Sequence, residues 1–292
     1  MTMICEHGLQ GVSGGIAGKT ADGQDMIVID RRKLGRRDLI RGLAAGTMVL
    51  VAPSCETNPE TGRTQFVGLA PDEATMATMA LDAWRQTLAE TPVSRDQGAN
   101  SRLRRVGEKI ALAANRPNQN WEFVVFDKPE KNAFVLPGNK VGFYKGLLDI
   151  SERDDHIATV LGHEVGHVTA RHAQERYSQA LAGQGLMVGA TMGSQNADPR
   201  YRQLGLAALG LGLQVGVLLR YSRLHELEAD KVGVDYMHRA GYDVRESVRF
   251  WERMGAESSG PRPPQFLSTH PDPSTRMAEL RGYIQNRGYA TF

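Results

Sequence analysis

The stretch that decides the reading is DDHIATVLGHEVGHVTARH, residues 154–172. Its centre, His163-Glu164-Val165-Gly166-His167, has the form H-E-x-x-H. On a helix, residues four apart share a face, so His163 and His167 present two imidazoles to one point. That is the reach of one tetrahedral zinc ion. Glu164 lies beside the first histidine and reaches a water at that point without ligating, which suits a general base. Gly166 leaves room for close approach of backbone or substrate. The competing reading is a surface helix with two histidines by chance, and a third ligand decides between the two.

His172 is not expected to be that ligand. Five residues past His167, it is turned roughly 140° around a continuous helix, which leaves it an exposed or packing role. The better candidate lies in SRLHELEADKVG, residues 222–233. Glu226 and Asp230 are four apart and share a face. Glu226 can ligate, and Asp230 can accept the ring N–H of a ligating histidine and so fix its tautomer. Glu228 falls on another face, in a solvated or structural role, and His225 points about 100° away from Glu226. A run of this kind usually marks a solvated charged face. Downstream of an H-E-x-x-H helix it reads instead as a ligand with its support.

The bulk numbers are ordinary for a soluble globular protein. The chain has 292 residues, 41% hydrophobic and 23% charged, which is enough for one large or two small domains with a buried core. Seven basic and five acidic residues within 1–55 account for the whole net charge of +2, so the remainder is balanced and nothing argues for nucleic acid. The two cysteines, Cys5 and Cys55, make neither a disulfide framework nor a cysteine zinc site. Any zinc must be held by histidine and carboxylate.

Residues 35–55, GRRDLIRGLAAGTMVLVAPSC, read as an export signal. A basic segment precedes an apolar run, Leu43 to Ala52, that has signal length and is too short to span a membrane. Arg36-Arg37-Asp38-Leu39-Ile40-Arg41 resembles the twin-arginine signal, and Cys55 stands where a bacterial lipoprotein carries its lipidated cysteine. Ala52 and Pro53 depart from the usual lipobox. The alternative is a buried helix with a chance arginine pair. Residues 1–55 are thus expected to be the export signal, 56–70 a flexible tether, and 71–292 the zinc metallopeptidase domain.

The expected fold class is α+β and mostly helical, with a small β-sheet next to the H-E-x-x-H helix. Helices are predicted over 71–90, with Pro71 in the first turn, and over about 99–115. Strands are predicted at 121–126, 132–136 and 140–144, with a turn at Pro137-Gly138-Asn139. Ser151 is expected to cap a helix that runs to about Ala182. Further helices are expected at 201–220, 222–240, 243–257 and 273–287. The apolar stretch 203–219 reads as a buried or partly membrane-facing helix, with a membrane span as the alternative.

Four segments together resemble a known family. These are Asn132-Ala133-Phe134-Val135-Leu136-Pro137-Gly138, the H-E-x-x-H helix, Tyr221-Ser222-Arg223 through Glu226-Leu227-Glu228-Ala229-Asp230, and Ser268-Thr269-His270-Pro271 followed by Arg276. The chain resembles the zinc metalloendopeptidases that include HtpX and the CAAX prenyl endopeptidases. Within them it is most similar to the soluble periplasmic BepA-like and LoiP-like branch, related to mitochondrial Oma-type peptidases. The resemblance implies a gluzincin-type zincin fold and one Zn2+ per chain, held by His163, His167 and Glu226. It also implies Glu164 as catalytic base and Asp230 behind a ligand. It places His270 near the metal, as oxyanion stabiliser or as occupant of the fourth position. Arg276 is expected to contact the oxyanion or a substrate carboxylate, with a helix salt bridge as the alternative, and the strand from Asn132, Ala133 and Phe134 to Leu136 is expected to pair with an extended substrate. The expected function is cleavage of extended or misfolded envelope proteins by a periplasmic, membrane-anchored lipoprotein whose partners are protein and peptide substrates. The alternative is a zinc-stabilised, chaperone-like binding module with little proteolysis.

Overall fold

The computed structural model describes residues 16–19, 25–30, 48–52, 55–58, 60–116, 120–180, 221–256, 264–270 and 273–292. The Arg36 to Arg41 motif, the stretch 203–219 and Pro271 lie outside the described residues. Near the start, β1 (Ile16–Lys19) runs antiparallel to β2 (Asp25–Asp30), which pairs in parallel with β3 (Met48–Ala52). The end of the apolar run expected in the export signal is therefore a strand here. Among the described residues, no helix is long and apolar enough to cross a membrane.

Residues 56–70, expected to be a tether, are instead anchored. β4 (Cys55–Thr57) and β5 (Thr64–Phe66) form an antiparallel hairpin. Asn58 closes its turn. The Asn58 Oδ1 accepts from the Glu60 N–H at 2.8 Å, and its Nδ2 donates to Gln65 Oε1 at 2.9 Å. Both side chains are buried. Cys55 is disulfide-bonded, so a lipid at the same sulfur requires a chain in which that bond is gone.

The central sheet has the order β6-β8-β7, with β6 (Glu122–Phe126) parallel and β7 (Ala133–Leu136) antiparallel to β8 (Lys140–Tyr144). Strand alternation sorts its side chains onto two faces. Phe126, Phe134 and Leu136 pack with Trp84 of α1 (Glu73–Glu90). Phe123, Val125, Ala133, Val141 and Phe143 join the main core with Leu103, Val106 and Ile110 of α2 (Gln97–Ala113). Asp72 caps α1 by accepting from the Thr75 N–H, so Pro71 precedes the cap and is not in the first turn. Gly138 and Asn139 take positive φ, 85° and 62°, in the expected turn between β7 and β8.

Ser151 does not cap the long helix. Its hydroxyl donates to the Leu147 carbonyl at 2.8 Å and so closes α3 (Lys145–Asp149). The long helix, α4 (Asp154–Thr169), begins after Arg153. It also ends early. Arg171 adopts φ 54°, and the chain restarts as α5 over 172–180. Next come α6 (Arg223–Arg239), capped by Ser222 and ended at Gly241 (φ 78°), then α7 (Arg245–Ala256), α8 (Phe266–Thr269) and α9 (Pro273–Asn286).

Helix α4 is buried on nearly every side from His156 to Thr169. Its closest partner is α6, which runs antiparallel to it. A Cβ on Gly162 would lie 2.8 Å from the Gly233 carbonyl oxygen, and one on Gly166 would lie 2.8 Å from that of Ala229. The room that Gly166 provides is thus filled by helix backbone. This close approach brings Glu226 within reach of both histidines. The expected α+β class, mostly helical with a small sheet beside the H-E-x-x-H helix, is the class observed.

Candidate metal centre and active site

His163 and His167 leave α4 on one face, and Glu226 leaves the first turn of α6. All three side chains are buried. His163 Nε2 and His167 Nε2 are 3.0 Å apart, and the Glu226 oxygens lie 3.5 and 3.4 Å from them. His270 completes the group, with Nδ1 at 2.9 Å from Glu226 Oε1 and 3.1 Å from His163 Nε2. One ligand atom from each of the four lies within 4.8 Å of the others.

The hydrogen bonds behind this group decide what fits in it. His163 Nδ1 is 2.8 Å from Asp230 Oδ1. A carboxylate only accepts, so Nδ1 carries the proton and Nε2 of the neutral ring is bare. His172 Nε2 is likewise 2.9 Å from Glu228 Oε2, which leaves His172 Nδ1 as an acceptor. His172 Nδ1 then receives the His167 Nδ1–H at 2.8 Å. His167 Nε2 is therefore bare as well. Two imidazole Nε2 atoms and a carboxylate converge on one point, and with those nitrogens unprotonated such a set fits a cation.

Charge points the same way. Glu226 and Asp230 share one buried guanidinium. Arg276 Nε and Nη2 bond the two Asp230 oxygens at 2.7 and 2.8 Å, and Nη1 lies 2.8 Å from Glu226 Oε2. Burial opposes ionisation of Asp230, but Arg276 and His163 outweigh it and hold its carboxyl below the usual value. Two carboxylates, Glu226 and Asp230, share the Arg276 guanidinium, which leaves room for a cation at the ligand atoms. The fork of Arg276 is spent on these two carboxylates. It supports the ligands from behind, as the salt-bridge alternative has it.

Glu164 is buried, and its Oε1 accepts no hydrogen bond. His270 Nε2 is 3.5 Å from that oxygen. Burial pushes the Glu164 carboxyl above the ordinary carboxylate range, partly countered by His270 and His163 and by a bond from the Val135 backbone N–H. A raised carboxyl with a free oxygen beside the ligand atoms is suited to take and return a proton near neutral pH.

His270 follows α8 and is stacked on Phe266 at 4.1 Å. The Tyr221 ring lies against both His167 (3.8 Å) and His270 (5.3 Å), with the Arg176 guanidinium 3.7 Å over its face. Burial holds the Tyr221 hydroxyl up at about 12, so it is neutral. A groove leads away between the β7 rim (Val135, Leu136, Pro137, Gly138) and the end of α4 (His167, Val168) with Arg171 beyond it, and Met76 of α1 lies beside it. Of the expected substrate-contacting residues, Ala133 and Phe134 send their side chains into the two cores. Asn132 uses its carbonyl to accept from the Tyr144 N–H. Val135 and Leu136, further along the same strand, line the groove.

The sequence reading missed His172, Glu228, His225 and Tyr221. The angle on a continuous helix turns the first three away from the ligand face. Tyr221 stood inside a recognised segment with no role.

Comparison with known proteins converges on the same site. The pattern of Peptidase family M48 matches residues 64–284. The chain is 30% identical over 248 residues to the mitochondrial metalloendopeptidase OMA1 of Schizosaccharomyces pombe, covering 83% of this chain and 70% of that one. It is 31% identical over 253 residues to OMA1 of Saccharomyces cerevisiae, covering 77% and 68%. It is 29% identical over 260 residues to the beta-barrel assembly-enhancing protease of Escherichia coli, covering 86% of this chain but 52% of that one. The chain thus spans about half the length of the beta-barrel assembly-enhancing proteases it matches. With the H-E-x-x-H helix, the converging ligand atoms and the family match all falling on the same residues, the chain belongs to peptidase family M48 and is a metalloendopeptidase.

Proposed function

We propose that this chain is a zinc-dependent endopeptidase of the bacterial cell envelope that hydrolyses extended segments of misfolded envelope proteins. The observation that carries the chemistry is the pair of bare Nε2 atoms facing Glu226, with the free Glu164 oxygen beside them. The set fits zinc in both donor type and charge. Zinc, when bound, supplies Lewis-acid polarisation of the scissile carbonyl and activation of a water.

The remaining steps belong to this chain. Glu164 takes the proton of the attacking water and returns it to the leaving amine. His270 stands at the fourth position of the group, where an imidazole either hydrogen-bonds the developing oxyanion or fills that position at rest. β7 is an edge strand, and its Val135 N–H points to Glu164. An extended peptide that adds to this edge lies over the catalytic carboxylate, and its side chains reach the groove. A folded domain presents no such free strand, so the site selects unfolded segments. The envelope assignment draws on the export-signal reading of residues 35–55 and on the name of the 29%-identical Escherichia coli relative. Lipid attachment at Cys55 requires its thiol, so a reductant must first open the disulfide.

Glu164→Gln tests the enzyme reading against the binding-module alternative. The variant should keep its zinc and lose about 10²–10⁴-fold in cleavage of an unfolded protein such as casein. Equal cleavage by the two proteins would overturn the mechanism.

A further inference from the structure

Behind His167 lies a second buried polar cluster that the hydrolytic steps leave unused. His172 and Glu228 form its core, and both are buried. Glu228 is held at each oxygen from the N-terminal hairpin: the Thr61 hydroxyl donates to Oε1, and Arg63 Nε donates to Oε2 at 2.8 Å. The other arm of Arg63 grips Glu175, with Nη1 at 3.0 Å from its Oε1. Glu175 in turn pairs with His225 Nε2 at 3.1 Å. The His225 ring is stacked on His172 at 4.4 Å. His172 is thus fixed in its plane by a ring and at its far nitrogen by a clamped carboxylate.

We propose that His172 and Glu228 are positioning residues that fix the tautomer and orientation of His167, with the β4–β5 hairpin holding the far end of the relay. Asp230 and Arg276 do for His163 what Glu228 and Arg63 do for His167. Each histidine donates its Nδ1–H, one to a carboxylate and one to an imidazole that itself rests on a carboxylate. Each carboxylate is held by an arginine from a distant element. Without the relay, His167 can rotate or carry its proton on Nε2, and either change removes a lone pair from the ligand set.

The inference rests on the reading that His163, His167 and Glu226 hold the metal. The test is zinc affinity of the metal-free chain, measured by competition with a chromophoric chelator. His172→Leu should bind zinc about 10–100-fold more weakly than wild type. His172→Gln, whose amide offers an acceptor toward His167 and a donor toward Glu228, should recover most of that loss. Wild-type affinity in His172→Leu, or failure of His172→Gln to exceed it, overturns the proposal. If wild type itself binds no zinc, the metal reading fails, and that outcome is distinct. Should the variants not fold, nitrogen-15 spectra of the wild-type histidines decide. His172 should carry its proton on Nε2 and His167 on Nδ1; the opposite tautomer in His172 refutes the relay.

Discussion

The spacing of α4 and α6 makes the sharpest prediction. A Cβ at Gly166 would sit 2.8 Å from the Ala229 carbonyl oxygen and 3.2 Å from its Cα. An ordinary contact begins near 3.4 Å, so the helices must part by about half an ångström. The obstructing atoms are backbone and cannot step aside. Overpacking of this kind costs about 1–3 kcal/mol. Alanine also raises helix propensity by about 1 kcal/mol over glycine, which partly hides the cost. Gly282 in α9 separates the two effects, because a Cβ there meets nothing within 4 Å. Gly282→Ala should therefore gain about 1 kcal/mol, while Gly166→Ala should lose about 0–2 kcal/mol. Their difference isolates the clash, at about 1–3 kcal/mol.

The assay is urea denaturation of both metal-free variants beside wild type, followed by zinc titration. Displacement of Glu226 by half an ångström exceeds the tolerance of about 0.2 Å in metal–ligand distances, so Gly166→Ala should also bind zinc more weakly. Gly282→Ala should bind as wild type does. If the two variants gain stability equally and bind zinc alike, close packing of α4 on α6 does not set the ligand geometry, and the account given for Gly166 is wrong.

Two further tests address the periphery. Burial opposes ionisation of Glu175, but bonds from His225 and Arg63 outweigh it and hold the carboxyl at about 2. A carboxyl held below its unfolded value contributes stability above that value, near 4.5, and loses it as pH falls toward 2. The contribution is of order 3 kcal/mol. Glu175→Gln should flatten the fall in urea midpoint between pH 5 and pH 3; an acid limb as steep as that of wild type would count against the ion pair. For location, Cys55→Ala should release the exported chain from membranes, and unchanged membrane association would count against lipid attachment at that residue.

The parts legible in the sequence are those that one regular element determines by itself. His163 and His167 share a face because four residues nearly complete a turn, and Glu226 with Asp230 repeats the argument on α6. Alternation in β6, β7 and β8 gave the sheet for the same reason. The same rule, applied past its range, placed His172 wrongly. An angle of about 140° holds only on a continuous helix. The chain turns at Ala170 and Arg171, where φ is 54°, and neither a glycine nor an asparagine announces the break. Beyond the turn, His172 returns to His167 at 2.8 Å.

Residues 56–70 look like a tether for a related reason. Thr61, Arg63 and Gln65 look like solvated sequence, because composition does not distinguish a polar side chain in water from one that meets a buried polar partner. Here the partners are Glu228, Glu175 and the Ala170 carbonyl, which accepts from Gln65 Nε2 at 2.5 Å. Ala170 is the residue at which α4 breaks. The hairpin thus binds the carbonyl exposed by that break and clamps the carboxylate that orients the histidine beyond it. An unanchored 56–70 would leave the Ala170 carbonyl and Glu228 buried without those partners, at a cost of about 1–3 kcal/mol for each unsatisfied group and more for the charge. The helix break, the buried His172 and the anchored hairpin are one structural event, and no single element's periodicity encodes it.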